Sequence, residues 1–318
     1  MSVTKIRKVA VAGAGTMGPG IAATFASHGY ETTLTDIQAD ALERAKNTVN
    51  MVYATLVNES FLSREDADAG SGRLKFELDL DAALQNADLI VETVPEKLEI
   101  KQSFLREVEP KVSAEAILAS NTSGIPLTKL GEVCEFPGRV IGMHWSNPPH
   151  IIPVIEVIRG AQTTDETVTT MHAVIQNIDM IPVDVLRDVP GFVENRILYA
   201  IMREALHLVE QGVAAPDAVD EIIKWGVGYK LAVIPPLQLL DVAGLDIYNS
   251  VAGYLNADLS TEQGVSAAIT EKVAEGNLGI KTGRGLFEYQ PGEIPALMQR
   301  RIRMLLDVKK ALTEAESS

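Results

Sequence analysis

The chain is expected to fold as an α/β protein: a doubly wound parallel sheet over residues 1–186, then an all-α region over 187–318. Three observations lead there. Short apolar runs rich in β-branched residues alternate with helical patterns along the first half, the order that gives parallel strands joined by crossover helices. A glycine-rich turn, GAGTMG at 13–18, joins the first such run to the first helical pattern. Beyond Leu186 the persuasive patterns are all helical. At ~100–200 residues per domain, 318 residues suit two domains or one large one.

The first run, KVAVA at 8–12, reads as a strand. In the turn that follows, Gly13 permits the tight reversal, Gly15 lets a pyrophosphate approach the backbone, and Gly18 lets helix and strand pack closely. Thr16 and Met17 complete the candidate cofactor loop. The helix start offers free N–H groups and a partial positive charge to phosphates. Pro19 sits in its first turn, where a missing N–H costs little. A second strand, YETTLT at 30–35, ends in Asp36, 18 residues after Gly18. A carboxylate there accepts hydrogen bonds from both ribose hydroxyls of an adenosine and repels a 2′-phosphate. With no Arg or Lys between Asp36 and Arg44, the expected cofactor is NAD rather than NADP, on a Rossmann-type domain.

The remaining elements follow in order. Residues 38–57 read as a helix and EDADAGSGR at 65–73 as a turn-rich loop. LKFELDL is a strand, DAALQNA a short helix, DLIVETV a buried strand, and 96–109 a helix with Pro110 at its end. AILASNTS, RVIGMHW, the run 151–160 and MIPVDVL are strands, with a helix at 165–178 before the last. Helices are expected at 191–213, 217–225, 237–256, 264–276 and 293–314. In such sheets ligands sit beyond the carboxyl ends of the strands.

Composition narrows the function. With 28 basic and 43 acidic residues the net charge is −15, so the chain lacks the broad positive field that binds nucleic acid or an anionic membrane. No apolar run approaches the ~20 residues that span a bilayer, and the N-terminus has no secretory pattern. The single cysteine, Cys134, excludes an intrachain disulfide framework and a cysteine-rich metal site. The five histidines have no metal-ligand spacing, so no metal is expected. These features suggest a cytoplasmic protein.

Six segments carry a family signature: GAGTMGPGIA, VETVPEKLEIKQ, SNTSGIP, GMHWSNPP, VPGFVENRI and LLDVAGLD, in that order over nearly the whole chain. Together they resemble the 3-hydroxyacyl-CoA dehydrogenase superfamily. The resemblance implies an NAD-binding domain, a helical domain that dimerises, and a small-molecule substrate between them. It implies that His144 is the catalytic base, paired with Glu156 twelve residues on, and that Ser123 and Asn195 hydrogen-bond the reacting oxygen. It further implies that Glu96 and Lys101 line the nicotinamide ribose and that Asn121 contacts NAD. Asn147 is a candidate for substrate binding, with a turn role before Pro148 as the alternative.

Two departures concern the substrate. Where the acyl-CoA enzymes hold CoA phosphates with a serine and lysines, this chain has Val52 and Glu59, and no basic residue lies between Lys46 and Arg64. The segment 228–236 is longer than in those enzymes and resembles members acting on small free acids, such as gulonate and carnitine dehydrogenases, with a basic residue near Lys230. The expected activity is hydride transfer to NAD⁺ from a small carboxylate-bearing alcohol or aldehyde hydrate, with Lys230 as a candidate for the carboxylate. Two alternatives stay open at this point: an (S)-3-hydroxyacyl-CoA dehydrogenase, and a non-enzymatic crystallin-like protein on the same fold.

Overall fold

The computed structural model describes residues 6–316. The chain divides into two compact units, Met1–Asn195 and Arg196–Ser318. The first opens with β1 (Lys8–Ala12), α1 (Gly18–Ser27), β2 (Glu31–Thr35), α2 (Ala39–Asn58), α3 (Arg64–Arg73), β3 (Leu74–Glu77), α4 (Leu80–Leu84), β4 (Leu89–Glu92) and α5 (Leu98–Val108). It continues with β5 (Ile117–Ser120), α6 (Leu127–Gly131), β6 (Val140–Trp145), β7 (Val154–Arg159), α7 (Asp165–Asn177) and β8 (Ile181–Val185). The strands form one sheet in the order β3-β2-β1-β4-β5-β6-β7-β8. Strand order reverses between β1 and β4, the switch point beyond whose carboxyl ends such sheets bind ligands.

Strand side chains alternate between faces, and the core follows that alternation. Val9, Val11, Leu89 and Val91 join Phe25, Trp145 and Met171 in one cluster. Ala10, Ile90 and Leu118 join Leu84, Leu105 and Leu127 in another. Both faces are therefore covered, as a doubly wound sheet requires.

Two elements of the first unit differ from expectation. β6 and β7 pair antiparallel, in an otherwise parallel sheet. Only residues 146–153 join them, with no helix, and a parallel crossover takes about a dozen residues or more. The second difference is α3, which occupies the glycine-rich stretch expected to be a loop. Ser63 caps it by accepting from Asp66 N at 3.0 Å, and acidic Glu65 and Asp66 sit in the first turn. Gly70 serves packing here: a Cβ would lie 3.0 Å from Ser27 Cα.

α8 (Glu194–Glu210) starts at the end of the first unit and continues into the second. After it come α9 (Pro216–Ile222), a π-helical turn over Ile223–Gly228, α10 (Tyr229–Leu231), α11 (Pro236–Ala243), α12 (Leu245–Asp258), α13 (Ala267–Ala274) and α14 (Ile294–Glu316). The helix expected over 237–256 is broken at Gly244, whose φ of +98° suits glycine. Among the described residues no helix is long and apolar enough to cross a membrane.

Candidate active site

The glycine turn is shaped by contacts that admit no side chain. Gly13 has φ +109°, and a Cβ on Gly18 would lie 1.8 Å from the Gly13 carbonyl oxygen. Gly15 is different: a Cβ there meets nothing within 4 Å, and Gly15 and Thr16 are exposed. Half-buried Met17 precedes α1 and gives it no side-chain cap. The result is an open cradle at an uncapped helix N-terminus, which suits a pyrophosphate. Half-buried Asp36 accepts Ala14 N at 2.7 Å on Oδ2 and Gln38 N at 2.9 Å on Oδ1. Each oxygen keeps acceptor capacity for a ribose hydroxyl. Ile37 beside it is 92 % exposed, an apolar surface the sequence reading passed over.

At the ends of β4 and β5 the structure gathers Glu96, Lys101, Asn121 and Ser123. Thr122 Oγ1 and Ser123 N donate to Glu96 Oε1 at 2.5 and 2.9 Å. Asn121 Oδ1 accepts Trp145 N at 2.8 Å, which ties β5 to β6. Lys101 is buried and ion-paired with Glu92 at 2.7 Å. Burial pushes the Glu92 carboxyl up, against the pull of Lys101.

The antiparallel register sets His144 opposite Glu156. Both are buried, and His144 Nδ1 lies 2.7 Å from Glu156 Oε2. Val193 N and Glu194 N donate to Glu156 Oε1 at 2.9 and 3.1 Å. Burial alone would raise the Glu156 carboxyl. The hydrogen bonds from His144 and from the Glu194 and Val193 N–H groups outweigh it, so the group sits below the ordinary carboxylate value. An ionised carboxylate only accepts, so Nδ1 carries the proton toward Glu156, and in the neutral ring that leaves Nε2 as the acceptor. Asn195 Nδ2 donates to the Ser123 carbonyl at 2.9 Å, so these two candidates meet.

Glu194 was not singled out in the sequence. Ser146 Oγ donates to its Oε1, and one ligand atom each from His144, Glu156 and Glu194 lie within 4.8 Å of one another. Such a trio could hold a metal ion, although hydrogen bonds already use His144 Nδ1, both Glu156 oxygens and Glu194 Oε1. Glu194 lies within the segment VPGFVENRI, but nothing there separates it from an ordinary carboxylate opening a helix. Asn147 is exposed and precedes Pro148 through a cis peptide bond. Lys230 is exposed on α10, in the second unit.

The fold and this geometry define a dinucleotide-dependent oxidoreductase, and the comparisons give the family. Residues 8–189 match the 3-hydroxyacyl-CoA dehydrogenase NAD binding domain, and 191–289 match the C-terminal domain of the same enzymes. The chain belongs to the 3-hydroxyacyl-CoA dehydrogenase family. It is an NAD-dependent oxidoreductase of a family that acts on CH–OH groups. It is 46% identical over 311 residues to 5-formyl-3-hydroxy-2-methylpyridine 4-carboxylate 5-dehydrogenase of Mesorhizobium japonicum, with 98% of this chain and 100% of that protein covered. A crystal structure of 5-formyl-3-hydroxy-2-methylpyridine 4-carboxylic acid 5-dehydrogenase, described as an NAD⁺-dependent dismutase, superimposes with a TM-score of 0.92, at 46% identity, covering 97% of this chain and 99% of that one. The (S)-3-hydroxybutyryl-CoA dehydrogenase of Ralstonia eutropha gives 0.74 at 34% identity, covering 90% and 100%.

Proposed function

We propose that the enzyme oxidises a small carboxylate-bearing substrate, with a hydrated formyl group as the leading case. His144 takes the hydroxyl proton and Glu156 orients His144. The observation that carries this reading is the buried 2.7 Å contact between His144 Nδ1 and Glu156 Oε2. Bound NAD⁺ supplies the hydride acceptor. His144 Nε2 receives the hydroxyl proton as the carbon–oxygen double bond forms, and Glu156 stabilises the resulting imidazolium. Asn195 has a second amide N–H beyond the one given to Ser123, and with the Ser123 hydroxyl it steadies the reacting oxygen. Gly13, Gly15, Thr16, Met17, Gly18 and Asp36 hold the adenosine diphosphate half, while Glu96, Lys101 and Asn121 serve the nicotinamide half.

The choice of substrate rests on charge. The relative from M. japonicum acts, by its name, on a formyl pyridine carboxylate. Val52, where a CoA contact would lie, is only 4 % exposed and packs in the core. The stretch 47–63 offers CoA no cation. Lys230 and Asn147 are the candidates for the substrate carboxylate. A cysteine route is disfavoured, since burial and the nearby Glu109 push the Cys134 thiol up to about 12, leaving little thiolate at neutral pH. The same reading makes the enzyme a cytoplasmic homodimer paired through the second unit, where Leu237 is 78 % and Val242 71 % exposed.

The test compares NADH formation on a formyl pyridine carboxylate and on free 3-hydroxy acids with reduction of acetoacetyl-CoA. The free acids are expected to be turned over and the thioester poorly or not at all. Lys230→Met is expected to raise KM for the acid by about tenfold with kcat little changed, the pattern of a contact equal in ground and transition states. Efficient turnover of acetoacetyl-CoA, with Lys230→Met unaltered on acids, returns the chain to the acyl-CoA enzymes.

A further inference from the structure

A second carboxylate, Glu194, stands beside the His144–Glu156 pair. It is half-buried at the start of α8, and one of its oxygens lies within 4.8 Å of a His144 ring nitrogen and of a Glu156 oxygen. Both Glu156 oxygens already accept: Oε2 from His144 Nδ1, and Oε1 from Val193 N and Glu194 N. Glu194 is less occupied. The hydroxyl of buried Ser146 donates to its Oε1, and among the described residues no group donates to its Oε2. An ionised carboxylate oxygen accepts about two hydrogen bonds, so Oε2 is open. Two carboxylates this close repel each other. The α8 N-terminus and the Ser146 hydroxyl offset that cost at Glu194.

We infer that Glu194 is a further catalytic residue, specific to hydrated aldehydes: its Oε2 accepts the second hydroxyl of a gem-diol while His144 takes the proton of the first. The inference rests on the reading that a hydrated formyl group is oxidised at His144. A gem-diol donates two hydrogen bonds from one carbon. With about 2.7 Å at each hydroxyl, its two acceptors stand up to about 7–8 Å apart. The spacing of His144 and Glu194 falls within that reach. An alcohol carries hydrogen or carbon in the second position and gives Glu194 nothing to accept.

In the oxidation the C–H bond breaks and its electron pair leaves as hydride to NAD⁺. The first O–H bond breaks toward His144 Nε2, and its electrons close the C=O bond. The second oxygen stays on the carbon, so the product is a carboxylic acid, whose proton passes to Glu194 and then to water. As hydride leaves, the carbon becomes electron-poor and the second O–H more acidic. The bond to Glu194 is therefore stronger in the transition state than in the ground state, which raises kcat rather than lowering KM.

The experiment uses the full-length enzyme and initial rates. Oxidation of a formyl pyridine carboxylate by NAD⁺ is compared with two reactions that lack a second hydroxyl at the reacting carbon: reduction of the same free aldehyde by NADH, and oxidation of a free 3-hydroxy acid. Glu194→Gln keeps the shape and an acceptor for Ser146 but puts an N–H donor where Oε2 accepts. It is expected to lower kcat for hydrate oxidation by about 10–100-fold, the scale of a hydrogen bond to a charged group. In the other two reactions kcat should fall by less than about threefold, with NAD⁺ affinity in calorimetric titration within about twofold. Equal losses in all three reactions would mean that Glu194 acts through His144 or the fold, and would overturn the inference. So would an unchanged rate of hydrate oxidation. If the wild-type enzyme forms no acid from the aldehyde, the substrate reading fails, and the inference with it. Should Glu194→Gln not fold, Ser146→Ala loosens the same carboxylate, with about a threefold loss in hydrate oxidation alone; a loss shared by all three reactions, or none, overturns the inference.

Discussion

In the first unit, Glu92 and Lys101 are 1 % exposed and His144 and Glu156 no more than 5 %, and each pair meets at 2.7 Å. In the second unit Trp225, Tyr229, Leu237 and Val242 lie in the open. The first unit hides charge and the second shows apolar surface. Buried charge persists only where it is paired and hydrogen-bonded, so the polar site is assembled before anything binds. Exposed apolar side chains in this number call for cover, and the proposed cover is the partner subunit.

The largest effect that could break this contrast is at Gly18. Gly18→Ala places a Cβ against the Gly13 carbonyl oxygen, where nothing flexible can give way. We expect it to abolish measurable NAD⁺ binding and to lower unfolding stability by about 1–3 kcal/mol, the usual scale of overpacking. Normal NAD⁺ affinity in that variant would show that the turn is not rigid. Leu237→Asp probes the other half of the contrast. If the proposed dimer forms through this face, it should shift the protein to monomer in light scattering while NAD⁺ affinity stays within about twofold. An unchanged dimer would place the interface elsewhere.

A smaller effect concerns acid. In the folded chain the Glu156 carboxyl lies below its ordinary value of 4.5. Its contribution to stability is complete above about 4.5 and is lost as pH falls through the lower folded value. Glu92 has the opposite sign: raised by burial, its ionisation opposes folding as pH rises through its folded value. Glu156→Gln should therefore flatten the fall of Tm below about pH 4.5, by about 2–4 °C per kcal/mol recovered. A parallel fall in both proteins would mean that Glu156 is not held as an anion.

What the sequence made legible was local chemistry. The tight turn at Gly13 and Gly18 could be read because its backbone geometry is settled within one strand–turn–helix unit. α3 was missed because glycine signals turns, while Gly70 is there for close packing against α1. The antiparallel turn of β7 was implicit in a connection too short for a helix. His144 and Glu156 became a pair only through family resemblance, since spacing alone does not state register. Glu92 and Glu194 lie within the segments VETVPEKLEIKQ and VPGFVENRI but were not singled out there, and the burial of Lys101 could not be read, since lysines are rarely buried and only the fold shows what surrounds it.

The central claim is that His144 moves the proton and does not hold the cofactor. His144→Ala, assayed by NADH formation on the free acid and by NAD⁺ titration, tests it most directly. Turnover should fall by about 10²–10⁴-fold, the range for a general base, with NAD⁺ affinity within about twofold. Near-normal turnover, or a loss of NAD⁺ affinity as large as the loss of turnover, would contradict it.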